Sequence, residues 1–137
     1  MEINRVHVPS SNLRELGGYQ TTDGSLIRYG LIFRCGQMSE LTPEEEETYR
    51  SLKLRLIVDL RRDDEVAERP TPSFGSEDNV HISVSDPDNA FAEAAAKAHE
   101  PDAQNLILAD ATRYYREVVT DNLHRYIPVF DKIFDAD

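Results

Sequence analysis

Cysteine is almost absent from this sequence, since Cys35 is the only one in 137 residues. A single thiol cannot form a disulfide within the chain, so the small secreted folds that depend on disulfides are excluded. The four histidines are scattered and show no spacing typical of a zinc site, so no metal is expected. No apolar run approaches the length of about 18 residues that a membrane-spanning helix needs. The first residues also lack an apolar signal segment, which leaves a cytoplasmic and a secreted location both open.

Positive charge is also scarce. Lysine and arginine number 15 against 26 aspartates and glutamates, which gives a formal net charge of -11. This balance argues against a nucleic-acid or anionic-membrane partner. A locally basic cavity for a small anion can still coexist with such an acidic surface. The length and the 39% hydrophobic content predict one domain with one core.

The most informative segment is 54–70, which reads LRLIVDLRRDDEVAERP. Its apolar first half predicts a strand over Leu54–Asp59 that is covered on both faces. Charged residues follow at once. Ligands bind at the carboxyl ends of such strands in open α/β sheets, so function is expected near Asp59.

Turn and cap signals predict the neighbouring elements. Short apolar runs between glycines predict a small antiparallel hairpin system over residues 12–36. Thr42 as N-cap with proline next predicts a helix from Pro43 to about Leu52. A surface loop at 69–79 and a second strand at Val80–Val84 are expected to follow.

The C-terminal part is predicted to be helical. An alanine-rich stretch within 85–105 predicts a weak helix between proline breakers. Beyond Leu106, apolar residues recur at helical spacing and predict two helices joined near Thr120–Asn122, with Pro128 as a potential kink in the second. The second helix carries an apolar stripe formed by Leu123, Ile127, Phe130 and Phe134. The predicted fold class is α/β, a sheet flanked by helices with an N-terminal hairpin region.

Three motifs precede the strand in an ordered arrangement: NLRELGGY at 12–19, Asp23-Gly24 and LIFRCG at 31–36. Together with DLR at 59–61, Glu65 and Pro70, they resemble the atypical bacterial tyrosine phosphatases, whose pattern is N-x-R-D-L-G-G-Y … D-G … G-x-x-F/Y-R-S … L … D-L-R … E … P. The chain departs from that pattern at Glu15, where Asp is usual, and at Cys35, where Ser is usual.

The resemblance implies a cysteine-dependent phosphatase fold. In the family a thiolate forms a cysteinyl-phosphate that water hydrolyses, without a metal or organic cofactor. Phosphotyrosine, phosphoserine/threonine and phosphoinositide substrates are known there. The family nucleophile lies in a loop of pattern H-C-x-x-G-K-D-R-T-G, and these 137 residues contain no such run. We therefore expect residues 1–137 to be a single partial phosphatase domain, the N-terminal portion, with an incomplete sheet and no activity alone.

The resemblance also implies substrate contacts. It assigns Arg69 to the phosphate, which suits a guanidinium fork, while a solvated loop arginine is the alternative. A family acid near the substrate maps to Asp86 or Asp88, although both are equally suited to a turn around the proline between them. Tyr114 aligns with a family tyrosine that lines the substrate pocket, whereas helical spacing alone would place it or the next tyrosine in a core.

Two other candidates have structural interpretations that are favoured over functional ones. Cys35 is the only thiol, but residue 41, where a phosphate-binding arginine would stand, is leucine. A small residue packed at a strand end is therefore the favoured interpretation of Cys35. Asp59 and Arg61 could hold substrate, yet an internal ion pair of Arg61 with Glu65 is favoured.

A function of a different class is a non-catalytic binding or regulatory module that keeps the phosphatase scaffold. In either case an incomplete sheet would expose strand edges and the apolar faces of the last helices. A companion fragment or self-association is therefore expected, alongside a phosphoprotein or phosphoinositide substrate of the full-length enzyme.

Overall fold

The computed structural model describes residues 6–84 and 111–136, except residues 114 and 118. Contacts divide the chain into two compact units. The first unit contains residues 1–57 and 69–79, and the second contains residues 58–68 and 80–137. The elements are α/β, as predicted from the sequence.

The first unit contains a three-stranded antiparallel sheet of order β1-β2-β3, formed by His7–Val8, Leu13–Glu15 and Phe33–Arg34. Strand β2 alternates, because Leu13 and Glu15 are buried while the arginine between them is exposed. The buried Glu15 carboxylate accepts a hydrogen bond from the backbone N–H of Gly30. A further antiparallel bridge joins Gln20 and Leu26. The predicted hairpin system over 12–36 is confirmed.

Helix α1 spans Pro43–Ser51 and begins with the predicted cap. The Thr42 hydroxyl accepts a hydrogen bond from the Glu45 N–H at 3.3 Å, and the Glu45 carboxylate accepts one from the Thr42 N–H at 2.9 Å. This reciprocal pair satisfies two backbone donors that a helix start leaves unpaired. The predicted helix is confirmed, and it ends one residue earlier than expected.

The core of the first unit contains side chains from α1, β1, β2 and β4 and from the intervening loops. Its most buried side chains are Leu13 and Tyr49, each 1% exposed, and the other buried members are Val8, Met38, Ile57 and Phe74. The rings of Tyr49 and Phe74 stack with centroids 4.8 Å apart. Such a pair adds to the stabilisation that burial alone provides.

Strands β4 (Leu56–Asp59) and β5 (Asp78–His81) form a pair. The Asp78 N–H bonds to the Arg55 carbonyl, and the Ile82 N–H bonds to the Asp59 carbonyl, both at 2.9 Å. Donor and acceptor advance together by four residues, which is the parallel arrangement. Strand β4 begins two residues later than predicted. Strand β5 begins two residues earlier than predicted and ends three residues earlier. Leu56 and Val58 are only partly buried, so the prediction that β4 is covered on both faces is not met.

Helix α2, Asp63–Glu68, is not among the elements predicted from the sequence. Its first turn is acidic, which matches the positive end of the helix dipole. The Glu65 carboxylate accepts a hydrogen bond from the Arg62 N–H at 3.1 Å, as in the second half of a capping box.

The described residues between 111 and 120 are helical, and a turn follows at 121–122. The N–H groups of Asp121 and Asn122 both donate to the Glu117 carbonyl. The predicted junction is confirmed. A 3₁₀ turn at Leu123–Tyr126 then leads into helix α3, Ile127–Asp135. Pro128 lies in the first turn of α3, where a missing N–H costs nothing, so it does not kink the helix.

The apolar stripe of the last helix faces away from the packed residues. Leu123, Ile127, Phe130 and Phe134 are 52–75% exposed, whereas Val129 is 7% exposed. This matches the expectation that apolar faces of the last helices are exposed. None of the helices in the described part of the chain is long and apolar enough to cross a membrane.

Candidate functional site

A cavity of about 360 Å³ lies within the first unit. Its lining is mostly polar and consists of Ser10, Ser11, Asn12, Gly36, Gln37, Glu40, Leu41 and Arg69. Arg69 is the residue that the family resemblance assigned to the phosphate. Among the lining residues, Arg69 alone has a positive charge and Glu40 alone a negative one.

One wall of the cavity is the turn at residues 9–12. The Asn12 N–H donates to the Pro9 carbonyl at 3.1 Å, and Asn12 adopts a left-handed conformation with φ of 53°. Asparagine tolerates this region better than most residues, because its short amide forms local hydrogen bonds. Here the amide oxygen of Asn12 accepts a bond from the Arg14 Nε at 3.1 Å.

This turn is attached to α1 and to the end of β3. The Ser10 hydroxyl donates to the Glu45 carboxylate, and the Ser11 hydroxyl shares a hydrogen bond with the Tyr49 hydroxyl, both at 2.6 Å. On the other side, the Gly36 N–H donates to the Ser11 carbonyl at 2.6 Å. These three bonds hold the wall in place.

The same contacts shift two pKa values. The hydrogen bonds from the Ser10 hydroxyl and the Thr42 backbone lower the pKa of Glu45 below its usual value. Burial raises the pKa of the Tyr49 phenol well above its usual value, partly offset by the hydrogen bond to Ser11. Tyr49 is therefore a neutral structural group at physiological pH.

Arg69 also lines the cavity. Its Nη1 lies 2.9 Å from the Glu40 Oε1, with 47% of the Arg69 side chain and 75% of the Glu40 side chain exposed. The guanidinium is thus held at the cavity by a carboxylate and is also accessible to solutes. The assignment of Arg69 to the phosphate stays a prediction, because a half-exposed arginine paired with a surface glutamate fits both interpretations.

Cys35 does not line the cavity. It is half-buried and packs against the core cluster of the first unit. Its side chain is also a hydrogen-bonding neighbour of the Tyr49 hydroxyl. These contacts agree with the interpretation of Cys35 as a small packed residue at a strand end.

The charges after β4 form a local structure that differs from the prediction. The Asp59 carboxylate is 8% exposed and accepts from the Arg61 Nη2 at 2.7 Å, the Arg61 Nε at 3.0 Å and the Arg61 N–H at 3.0 Å. Arg61 therefore pairs with Asp59, and the predicted partner Glu65 instead bonds to Arg62. The structural interpretation is supported, but its partner was wrong. The pair is bidentate, a geometry that positions both groups strongly.

The other predicted substrate residues, Asp86, Asp88 and Tyr114, lie outside the described residues, as does the weak helix within 85–105. Their roles stay predictions. In the described part of the chain, no group of three or more histidine, cysteine, aspartate or glutamate side chains is arranged to hold a metal ion.

The sequence matches the model of the tyrosine phosphatase family over residues 8–137, all but the first seven residues. The chain belongs to the tyrosine phosphatase family. A search of curated proteins found no match. The resemblance found in residues 12–70 is thus confirmed at the level of tyrosine phosphatases, and family membership supports a phosphatase function in general.

Sequence reasoning missed most of the cavity lining of this tyrosine phosphatase family member. Ser10, Gln37 and Glu40 carry no local signal for ligand binding. The one available hint was the turn Pro9 to Asn12, whose composition is typical of a tight turn before a strand.

Proposed function

We propose that this chain is the N-terminal part of a protein tyrosine phosphatase and that its cavity holds the phosphoryl group of phosphotyrosine against Arg69. The observation that carries the proposal is the position of Arg69. The family resemblance assigns this residue to the phosphate, and Arg69 lines the polar cavity of the first unit.

The cavity offers the chemistry that a phosphoryl group needs. A guanidinium presents a planar fork of donors that matches two phosphoryl oxygens. The polar residues Ser10, Ser11, Asn12 and Gln37 also line the cavity, and the Ser10 and Ser11 hydroxyls are held by Glu45 and Tyr49. In a chain of net charge -11, a dianion requires such a local cation.

Hydrolysis requires a group that the cavity lining does not provide. In the proposed reaction a cysteine sulfur bonds to phosphorus as the bond from phosphorus to the tyrosine oxygen breaks, and an acid protonates that oxygen. Water then cleaves the sulfur–phosphorus bond and releases phosphate. Cys35 packs against the core, and the chain has no H-C-x-x-G-K-D-R-T-G run. This chain alone should therefore bind a phosphorylated ligand without hydrolysing it.

The test is a ligand titration of the full chain followed by NMR, with inorganic phosphate and phosphotyrosine as separate probes. Arg69→Ala should weaken binding about tenfold or more, because a hydrogen-bonded charge is lost. Arg55→Ala is a matched control. It removes another half-exposed arginine of the first unit, one that pairs with Glu77 at 3.9 Å. Equal binding by wild type and Arg69→Ala would refute the proposal.

The finer parts of the proposal have their own tests. Competition by phosphoserine, phosphothreonine and soluble inositol phosphates for the phosphotyrosine site would reveal a broader substrate range. An intact-mass measurement of the purified protein, with a phosphatase assay on the same sample, would reveal a companion fragment. A second polypeptide carrying the phosphate loop, together with activity, would mean an enzyme in two pieces.

The alternative is a non-catalytic phosphatase-like binding module. The packing of the only thiol beside Tyr49 favours it, because such a scaffold needs no reactive cysteine. The coding sequence that follows residue 137 distinguishes the two proposed functions. Continuation into the phosphate-loop motif supports the enzyme part, and a stop codon supports the module.

A further inference from the structure

The ion pair between Glu40 and Arg69 affects how the cavity can bind an anion. Glu40 presents a carboxylate oxygen 2.9 Å from the Arg69 Nη1, which is the distance and chemistry of a bound anion. Both side chains line the same cavity. Glu40 therefore occupies a position that a phosphoryl oxygen would take on the guanidinium.

The pair is weak enough to be displaced. Both partners are substantially exposed, Glu40 by 75%, and exposed ion pairs contribute little to stability because solvent screens them. Glu40 precedes α1 and lies outside the cap formed by Thr42 and Glu45. Its side chain can move into solvent without breaking the helix start.

A bound phosphate and the Glu40 carboxylate would repel each other at this distance. A dianion that binds Arg69 must displace the carboxylate or accept a like charge beside it, and either event lowers affinity. A ligand that binds through a carboxylate would replace the Glu40 carboxylate on Arg69 with an equivalent group, so the exchange would add no binding free energy. The arrangement therefore disfavours acidic side chains relative to a phosphoryl dianion.

We infer that Glu40 is an internal competitor for the anion, a residue that sets the affinity and specificity of the Arg69 cavity. This inference rests on the proposed function. It assigns Glu40 a role that is separate from the stability of the fold and from any catalytic step.

The test is the same NMR titration with inorganic phosphate and with phosphotyrosine, applied to Glu40→Gln. The expected result is a gain in affinity of about two- to fivefold, because the charge of Glu40 no longer competes with the ligand for Arg69. Glu47→Gln is the matched control. It changes the net charge equally from an exposed position on α1 that does not line the cavity, and it should leave affinity unchanged.

The outcomes separate the two proposals. Loss of binding in Arg69→Ala with equal affinities for Glu40→Gln and Glu47→Gln would overturn the role of Glu40 and leave the phosphate site intact. Weaker binding by Glu40→Gln would also overturn it, because Glu40 would then be positioning Arg69. The double variant Arg69→Ala/Glu40→Gln should bind no better than Arg69→Ala. Binding that is indifferent to Arg69 would overturn the proposed function itself.

Discussion

The hydrogen bond between Ser11 and Tyr49 offers the sharpest test of how the cavity wall is held. Both residues are buried, with 2% and 1% exposure, and their hydroxyl oxygens lie 2.6 Å apart. Removing one hydroxyl leaves the other one buried without this hydrogen bond. Such a loss costs about 1–2 kcal/mol of the free energy of unfolding. Ser11→Ala and Tyr49→Phe should each destabilise the protein by that amount.

The double variant distinguishes this bond from other effects of the two substitutions. Tyr49→Phe keeps the ring stacked on Phe74 and also loses the contact with Cys35, a loss that is the same in the double variant and cancels in the comparison. With both hydroxyls gone, neither hydroxyl is left buried without the other. The double variant should therefore cost about 1 kcal/mol less than the sum of the singles.

Urea unfolding followed by far-ultraviolet circular dichroism gives these free energies. Ser51→Ala serves as a control, because its hydroxyl bonds the Thr48 carbonyl at the exposed end of α1. It should change the free energy of unfolding by about 0.5 kcal/mol or less. Additive costs for Ser11→Ala and Tyr49→Phe would refute the reasoning, since they would mean that the two hydroxyls do not interact.

Two further predictions concern the supports of the cavity. Hydrogen bonds lower the pKa of Glu45 in the folded state, so its contribution to stability is present above the usual value of 4.5 and is lost as pH falls through the lower folded value. Urea unfolding at a series of pH values should show that loss in wild type and a flatter profile in Glu45→Gln. Phe74→Ala should cost about 3–5 kcal/mol, because a ring only 7% exposed is removed from a stacked pair. The same measurement on Phe134→Ala, where the ring is 75% exposed, should show a change of about 0.5 kcal/mol or less, and a similar cost for both would contradict the assigned core.

Helix α1 could be predicted almost to the residue because its signals are local. Thr42, Pro43 and Glu45 lie within one turn, and their roles depend on no distant contact. Strands β4 and β5 were found but misplaced at their ends, since the extent of a strand depends on its partner. Helix α2 was missed, because its six residues have little apolar periodicity to detect.

The cavity could be predicted only where the family resemblance reached it. Arg69 came from that resemblance, whereas Glu40 lies 29 residues away in sequence and Ser10 lies 35 residues from its partner Glu45. Contacts of that range leave no trace in local composition. The Arg61 partner was assigned wrongly because charge pairs near strand ends often serve local architecture and Glu65 follows closely in sequence, while the chain after β4 turns back and brings Arg61 onto Asp59.

The two walls of the cavity share one support that does not itself line it. The hydroxyl of Tyr49 bonds to Ser11 in the turn at residues 9–12, and its ring stacks on Phe74, which belongs to the same loop as Arg69. Tyr49→Phe should therefore disturb the serine wall and leave the arginine in place, whereas Phe74→Ala should disturb the arginine side. Because phosphate is proposed to bind mainly through the guanidinium, Phe74→Ala should weaken phosphate binding more than Tyr49→Phe does. The opposite order would mean that the serine wall, rather than Arg69, holds the anion.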